Sequence, residues 1–296
     1  MDIDSEQASR RRCKPDWLKV RLPGGPGQAR VKSVLERYRL HSICQEARCP
    51  NMAECFREGT ATFLIMGNVC TRHCLYCNVI HGQPEALDDA GTDRLADAVS
   101  ALDLKYVVIT SVTRDDLPDG GASVFAGAIA ALRDRVPGCR VEVLVPDFRG
   151  DREAQRRVLD AGPDIFNHNM EVVPGLFPRL RPQGRYDVSL GIIRHAAKDG
   201  STVVKSGFMV GLGESPRDIR GLLEDLRGAG CGHVTVGQYQ QPTRDHYPVQ
   251  RYYHPAEFAA IKSLAEEMGF GRVEAGPLVR SSYHAARAFR EEFRDK

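Results

Sequence analysis

Cys70, Cys74 and Cys77 fall within eight residues, in CTRHCLYC. Three thiolates at that spacing can wrap one metal centre, yet they are one ligand short for a cube of four irons. The iron left over keeps an open position for an exogenous ligand, as catalytic metal sites do. A zinc site completed by His73 or His81 is the alternative reading of the same spacing. Upstream, Cys44, Cys49 and Cys55 form another triplet, the first in chain order, in CQEARCPNMAEC. Its C-x4-C-x5-C pattern is short enough to converge on a centre and too irregular for a zinc ribbon. Cys13, Cys139 and Cys231 stand alone and read as arm or core, where a free cysteine acts as a small hydrophobe.

Elements must bring the two triplets together. From residue 62 onward, short β-branched runs alternate with helical patterns. The runs are Thr62–Met66, Tyr106–Val112, Arg140–Val145, Asp164–Val172, Thr202–Val210 and His233–Gln240. Helical periodicity occupies 92–102, 122–135, 151–161, 186–199, 215–228 and 255–268. Such alternation predicts βαβ units and a parallel sheet. Six units are too few to close an eight-stranded barrel, so the expected fold is an α/β open partial barrel. Function then belongs at the carboxyl ends of the strands. Cys70 follows the first run directly, so the second triplet lies in the first loop on that face. The chain divides into an N-terminal extension (1–61) with the first triplet, a partial barrel (62–269) and a tail (270–296).

Composition excludes several classes. Of 296 residues, 42% are hydrophobic and 27% charged, with net charge +2, an ordinary globular balance that demands neither nucleic acid nor an anionic membrane. The arginines at 10–12 read as a solvated arm. No apolar run reaches a membrane-spanning length, and the first residues lack the apolar stretch of a signal peptide. A cytoplasmic location is expected. Nine cysteines in a reducing compartment point to metal or catalysis rather than disulfides.

CTRHCLYC, with Tyr76 before its last cysteine, resembles the radical S-adenosylmethionine superfamily. CQEARCPNMAEC followed by TATFLIMGNVCTRHCLYC resembles one family within it, the lipoyl synthases. The likeness continues through TSVTRDDLPDGGA, FNHNMEVVP, KSGFMVGLGE, VGQYQQPTRDHYPVQRYYHPAEF and GPLVRSSYHA, spanning roughly residues 33 to 285. That resemblance implies two 4Fe-4S clusters and S-adenosyl-L-methionine. The radical-generating cluster falls on Cys70, Cys74 and Cys77. The auxiliary cluster falls on Cys44, Cys49 and Cys55, with a serine of Arg280-Ser281-Ser282-Tyr283 on its fourth iron. In an extended segment neighbouring side chains point to opposite sides, which favours Ser282, on the side of Arg280, with Ser281 as the alternative.

The implied reaction adds two sulfur atoms, at carbon 6 and carbon 8 of a protein-bound octanoyl chain, and consumes the auxiliary cluster as sulfur donor. Implied partners are the lipoyl carrier domains of 2-oxoacid dehydrogenases and the glycine cleavage carrier protein. An electron donor such as flavodoxin or ferredoxin and an iron–sulfur cluster carrier are also implied. Polar residues at strand ends are candidates for holding S-adenosylmethionine: Thr110, Ser111, Arg114, Asp115, Asn167, Asn169, Glu171 and Lys205. The sequence departs from the family pattern at Val172 and Gly175, and at Asn68 and Asn78, where acidic residues are common. A divergent sulfur-inserting enzyme with another acyl substrate fits the radical motif too, but the first triplet and the RSSY tail favour lipoyl synthase. A non-catalytic zinc or iron–sulfur regulator is the reading from another class.

Overall fold

The structure, a computed structural model, describes residues 14–19, 26–57 and 61–283. The arginines at 10–12, Cys13 and the charged helix expected at the end of the tail lie outside the described residues. Ten strands are present among the described residues: β1 (His41–Ser42), β2 (Thr62–Ile65), β3 (Val69–Cys70), β4 (Ile80–His81), β5 (Tyr106–Ser111), β6 (Arg140–Leu144), β7 (Ile165–Asn167), β8 (Val203–Val210), β9 (His233–Gln238) and β10 (Arg272–Gly276). One sheet runs β1-β2-β5-β6-β7-β8-β9-β10; β3 and β4 pair separately. Every neighbouring pair from β2 to β10 is parallel, and β1 lies antiparallel to β2. The sheet has two edges and stays open.

Helices connect the strands: Gly91–Ala101, Ala122–Arg135, Arg152–Asp160, Tyr186–Asp199, Pro216–Gly228 and Pro255–Glu267. Their starts follow local chemistry. Asp151 accepts hydrogen bonds from the Glu153 and Ala154 amides, and Ser215 with Asp218 forms a capping box. Strand periodicity sorts the side chains. Val107, Ile109, Val141 and Val143 pack in the main core with helix residues such as Val99, Phe125 and Leu132. On the opposite, inner face, Tyr106, Val108 and Ile165 form a small separate cluster. Above it, buried Glu142 accepts hydrogen bonds from the Tyr106 hydroxyl, Asn167 Nδ2 (3.0 Å) and Lys205 Nζ (2.9 Å).

All six expected strands are present. Two expectations are corrected. The fourth run ends at Asn167 rather than Val172, because Glu171 takes a left-handed φ of 68° and keeps only an isolated bridge to Phe208. The start of the expected tail is instead a sheet strand: β10 pairs residue by residue with β9. With Val273 as its one β-branched residue, it is too short a run to stand out in the sequence.

Candidate metal centre

The second triplet sits where β2 ends. The chain turns through Met66 and Gly67, both at positive φ, then β3 and β4 pin the loop by pairing Cys70 with His81. Arg72 locks it in place. Its guanidinium makes two forked ion pairs, to Asp115 (2.6 and 2.9 Å) and to Asp147 (2.6 and 2.7 Å). These carboxylates follow β5 and β6, so one side chain ties the cysteine loop to two strand ends. The Leu75 amide donates to Leu180, and the Tyr247 amide donates to Leu75. Tyr76 hydrogen-bonds Cys74.

Burial pushes the Cys77 thiol up to about 12, with Cys74 and Cys70 adding to the rise, and raises Cys74 too. In the first triplet, burial and then the neighbouring Cys44 push Cys49 up to about 11. A nucleophilic cysteine needs the opposite shift. These thiols suit ligands that give up their protons only to a cation. Among the described residues, no three His, Cys, Asp or Glu side chains crowd together as ligands of a single ion must. His73 and His81, the candidate zinc partners, are exposed and stack on each other at 3.8 Å.

In the first triplet, Cys44 and Cys55 lie on two short helices that follow β1, Ile43–Glu46 and Met52–Arg57, and Cys49 lies in the turn between them. The triplet meets both other parts of the site. Asn78 Nδ2 donates to the Glu46 carbonyl (2.7 Å), joining it to the second cysteine loop. Asn51 Nδ2 donates to the Leu278 carbonyl (2.6 Å), and the Tyr283 hydroxyl to Glu54 (3.2 Å), joining it to the tail. Arg280 is half-buried, and Cys49 and Glu171 act on it electrostatically.

The RSSY segment is a turn, closed by the Tyr283 amide on the Arg280 carbonyl (2.9 Å), and not the extended strand assumed from sequence. The two serines still diverge. Ser282 accepts from the Thr62 hydroxyl (2.8 Å), while Ser281 accepts from Asn169 Nδ2 (2.5 Å).

The model of the radical SAM superfamily matches residues 64–226, and that of the N-terminal domain of lipoyl synthase matches residues 2–49. Lipoyl synthase of Rubrobacter xylanophilus is 55% identical over 93% of this chain and 86% of its own length. That of Methylococcus capsulatus is 53% identical over 92% and 85%. The chain belongs to the lipoyl synthase family. Among solved structures, Streptococcus suis SuiB bound to precursor peptide SuiA superposes with a TM-score of 0.57 at 10% identity, covering 97% of this chain and 64% of that one. HydG, a maturase of the [FeFe]-hydrogenase, gives 0.53 at 13% identity, covering 90% and 75%. At such identities these two likenesses speak for the fold alone.

A lipoyl synthase needs a seat for S-adenosylmethionine beside its radical cluster, and the candidate residues divide into two groups. Four are occupied within the protein. Thr110 donates to the Leu144 carbonyl, and Lys205 pairs with Glu142. Asp115 holds Arg72, while Arg114 binds Asp116 and the Met66 and Glu85 carbonyls. The rest offer unsatisfied atoms. Ser111 Oγ, Asn167 Oδ1 and Asn169 Oδ1 are buried without a hydrogen-bond partner. Burial raises the Glu171 carboxyl against the opposing pull of Arg181. A buried polar atom left unpaired costs about 1–3 kcal/mol, so three orphans lining one strand-end region fit a polar ligand. Sequence reasoning passed over Arg72, whose signal was a cation inside the cysteine loop with aspartates after two successive strands. His168 is buried, with Nδ1 on the Val145 carbonyl (2.9 Å).

Proposed function

We propose that this protein is a lipoyl synthase in activity, adding two sulfur atoms to carbons 6 and 8 of an octanoyl chain carried on a lysine of a lipoyl carrier domain. The observation that carries the reading is the meeting of three distant segments. Residues 44–55 contact both the 70–78 loop, through Asn78, and the 278–283 tail, through Asn51 and Tyr283. A non-catalytic zinc or iron–sulfur regulator has no use for that third contact.

In this reading Cys70, Cys74 and Cys77 hold the radical cluster, and Cys44, Cys49, Cys55 and Ser282 hold the auxiliary one. Ser282 is favoured because its partner Thr62 opens β2, the neighbour of β1, which runs straight into Cys44. Ser281 leans toward Asn169 and the strand-end region instead. Ser111, Asn167, Asn169 and Glu171 are the S-adenosylmethionine contacts, while Arg114, Asp115, Thr110 and Lys205 shape the surrounding walls. When bound, S-adenosylmethionine and the two clusters supply hydrogen abstraction from unactivated carbons and the sulfur itself, chemistry no side chain can perform. The chain's contribution is placement. Arg72 fixes the cysteine loop relative to β5 and β6, and the inner wall of the sheet excludes water from the acyl chain. A flavodoxin or ferredoxin as reductant and an iron–sulfur carrier for rebuilding complete the proposal.

The anaerobically reconstituted protein, given reductant, S-adenosylmethionine and an octanoylated carrier peptide, should bind about eight irons. It should release deoxyadenosine and yield peptide with two added sulfurs by mass spectrometry. Deoxyadenosine without sulfur gain refutes the lipoyl assignment.

A further inference from the structure

The tail reaches the inner wall of the barrel through a gap left by glycines. Gly207 on β8, Gly237 on β9 and Gly276 on β10 are inward-facing strand residues; Gly237 pairs with Gly276 and with Met209. None of the three has the positive φ that calls for glycine, so alanine could adopt each backbone. What forbids a side chain is space. A Cβ on Gly237 would fall on the Val279 carbonyl, far inside 3.0 Å, and would stand 3.0 Å from Arg280 Nη1. A Cβ on Gly276 would meet Val279 Cγ2 at 3.2 Å; one on Gly207 would collide first with Thr235 Oγ1 and approach Ser281 Oγ only at 3.3 Å. Each would press on a different part of residues 279–281.

The geometry points to a glycine cradle, centred on Gly237, that seats the Arg280–Tyr283 turn inside the sheet and so positions its serines. This deepens the sulfur-insertion reading and rests on it for the role of the serine, although the seating itself is a property of the chain alone. The obstruction at Gly237 is a backbone carbonyl, which cannot swing aside as a side chain can. The tail must therefore lift as a unit. Apart from the cradle, the turn is held by scattered hydrogen bonds, Asn51 to Leu278, Thr62 to Ser282, Asn169 to Ser281 and Tyr283 to Glu54. Gly237 is thus a positioning residue, remote in role from the S-adenosylmethionine seat.

The test compares the full-length protein with Gly237→Ala and, as a control, with Gly221→Ala, whose added methyl meets open space. Hydrogen exchange of the metal-free chains reads the seating directly, through the Val279 and Tyr283 amides that are bonded within the tail. In Gly237→Ala these amides should exchange about tenfold faster or more, with the β5 and β6 amides unchanged. After reconstitution the variant should carry about four irons rather than eight, form deoxyadenosine and add no sulfur. Unchanged exchange at Val279 and Tyr283 overturns the cradle, whatever the enzyme then does. If the parent protein adds no sulfur, the functional reading fails while the exchange contrast still decides the seating. Should Gly237→Ala loosen the whole sheet, Gly276→Ala takes its place. Faster tail exchange that Val279→Ala reverses supports the cradle, and none overturns it.

Discussion

The two cysteine triplets are held by opposite means. The second is clamped by charge: Arg72 spends both edges of its guanidinium on Asp115 and Asp147 within a sheet seven parallel strands wide. The first spans helices of four and six residues and the turn between them, and hydrogen bonds from Asn51, Asn78 and Tyr283, with no forked arginine pair among the described residues, tie it to its neighbours. Under the proposed assignment, the difference matches which centre has to last. A site that generates radicals repeatedly needs fixed geometry, whereas one that surrenders its sulfur must be opened and refilled.

The sharpest way to break the contrast is Arg72→Ala. It leaves the Asp147 carboxylate, 2% exposed, without its cation, a loss of about 3–5 kcal/mol. Denaturant unfolding should show that loss and S-adenosylmethionine cleavage should disappear. Arg72→Lys should recover only part of both, since one ammonium cannot serve four carboxylate oxygens.

Acid should separate the triplets next. Burial alone would raise the Asp147 carboxyl, but the hydrogen bonds and charge of Arg72 outweigh it and hold it below the ordinary carboxylate range. A depressed native pKa stabilises the fold above the unfolded value of about 3.9 and loses that contribution as pH falls through the native one. Exchange of the amides around Cys70–Cys77 should therefore accelerate below about pH 4, and that acceleration should vanish in Asp147→Asn.

Smaller effects should follow at the first triplet. Asn51→Ala removes the donor to the buried Leu278 carbonyl, which costs about 1–2 kcal/mol. It should speed tail exchange while deoxyadenosine formation continues. Asn78→Asp replaces a donor to the Glu46 carbonyl with a carboxylate, worth about 1 kcal/mol, and should loosen 43–46 by exchange without unfolding the sheet.

Much of this was legible beforehand. Six strands and six helices follow from β-branched runs and helical periodicity, and the cysteine spacing marked both triplets. What escaped was anything decided by partners distant in sequence. Lys205 and Asp115 look like free polar groups at strand ends until Glu142 and Arg72 appear opposite them. β10, RVEAG, carries only a short polar–apolar alternation around Val273 and is held as a strand by its ladder with β9. The RSSY turn looked extended because nothing local announces the Tyr283-to-Arg280 bond. Asn68 and Asn78, read as departures from the family, both reach toward Glu46, at its side chain and its carbonyl respectively. An aspartate at 78 would offer that carbonyl no donor.

The antiparallel edge strand has a consequence for repair. β1 contributes only two rungs, His41 opposite Leu64 and Ser42 opposite Phe63, and leads directly to Cys44. Unzipping those rungs would loosen the segment that carries Cys44 while every parallel ladder stays closed. In the proposed assignment, the cysteines that must be refilled hang from the margin of the sheet that parts most readily.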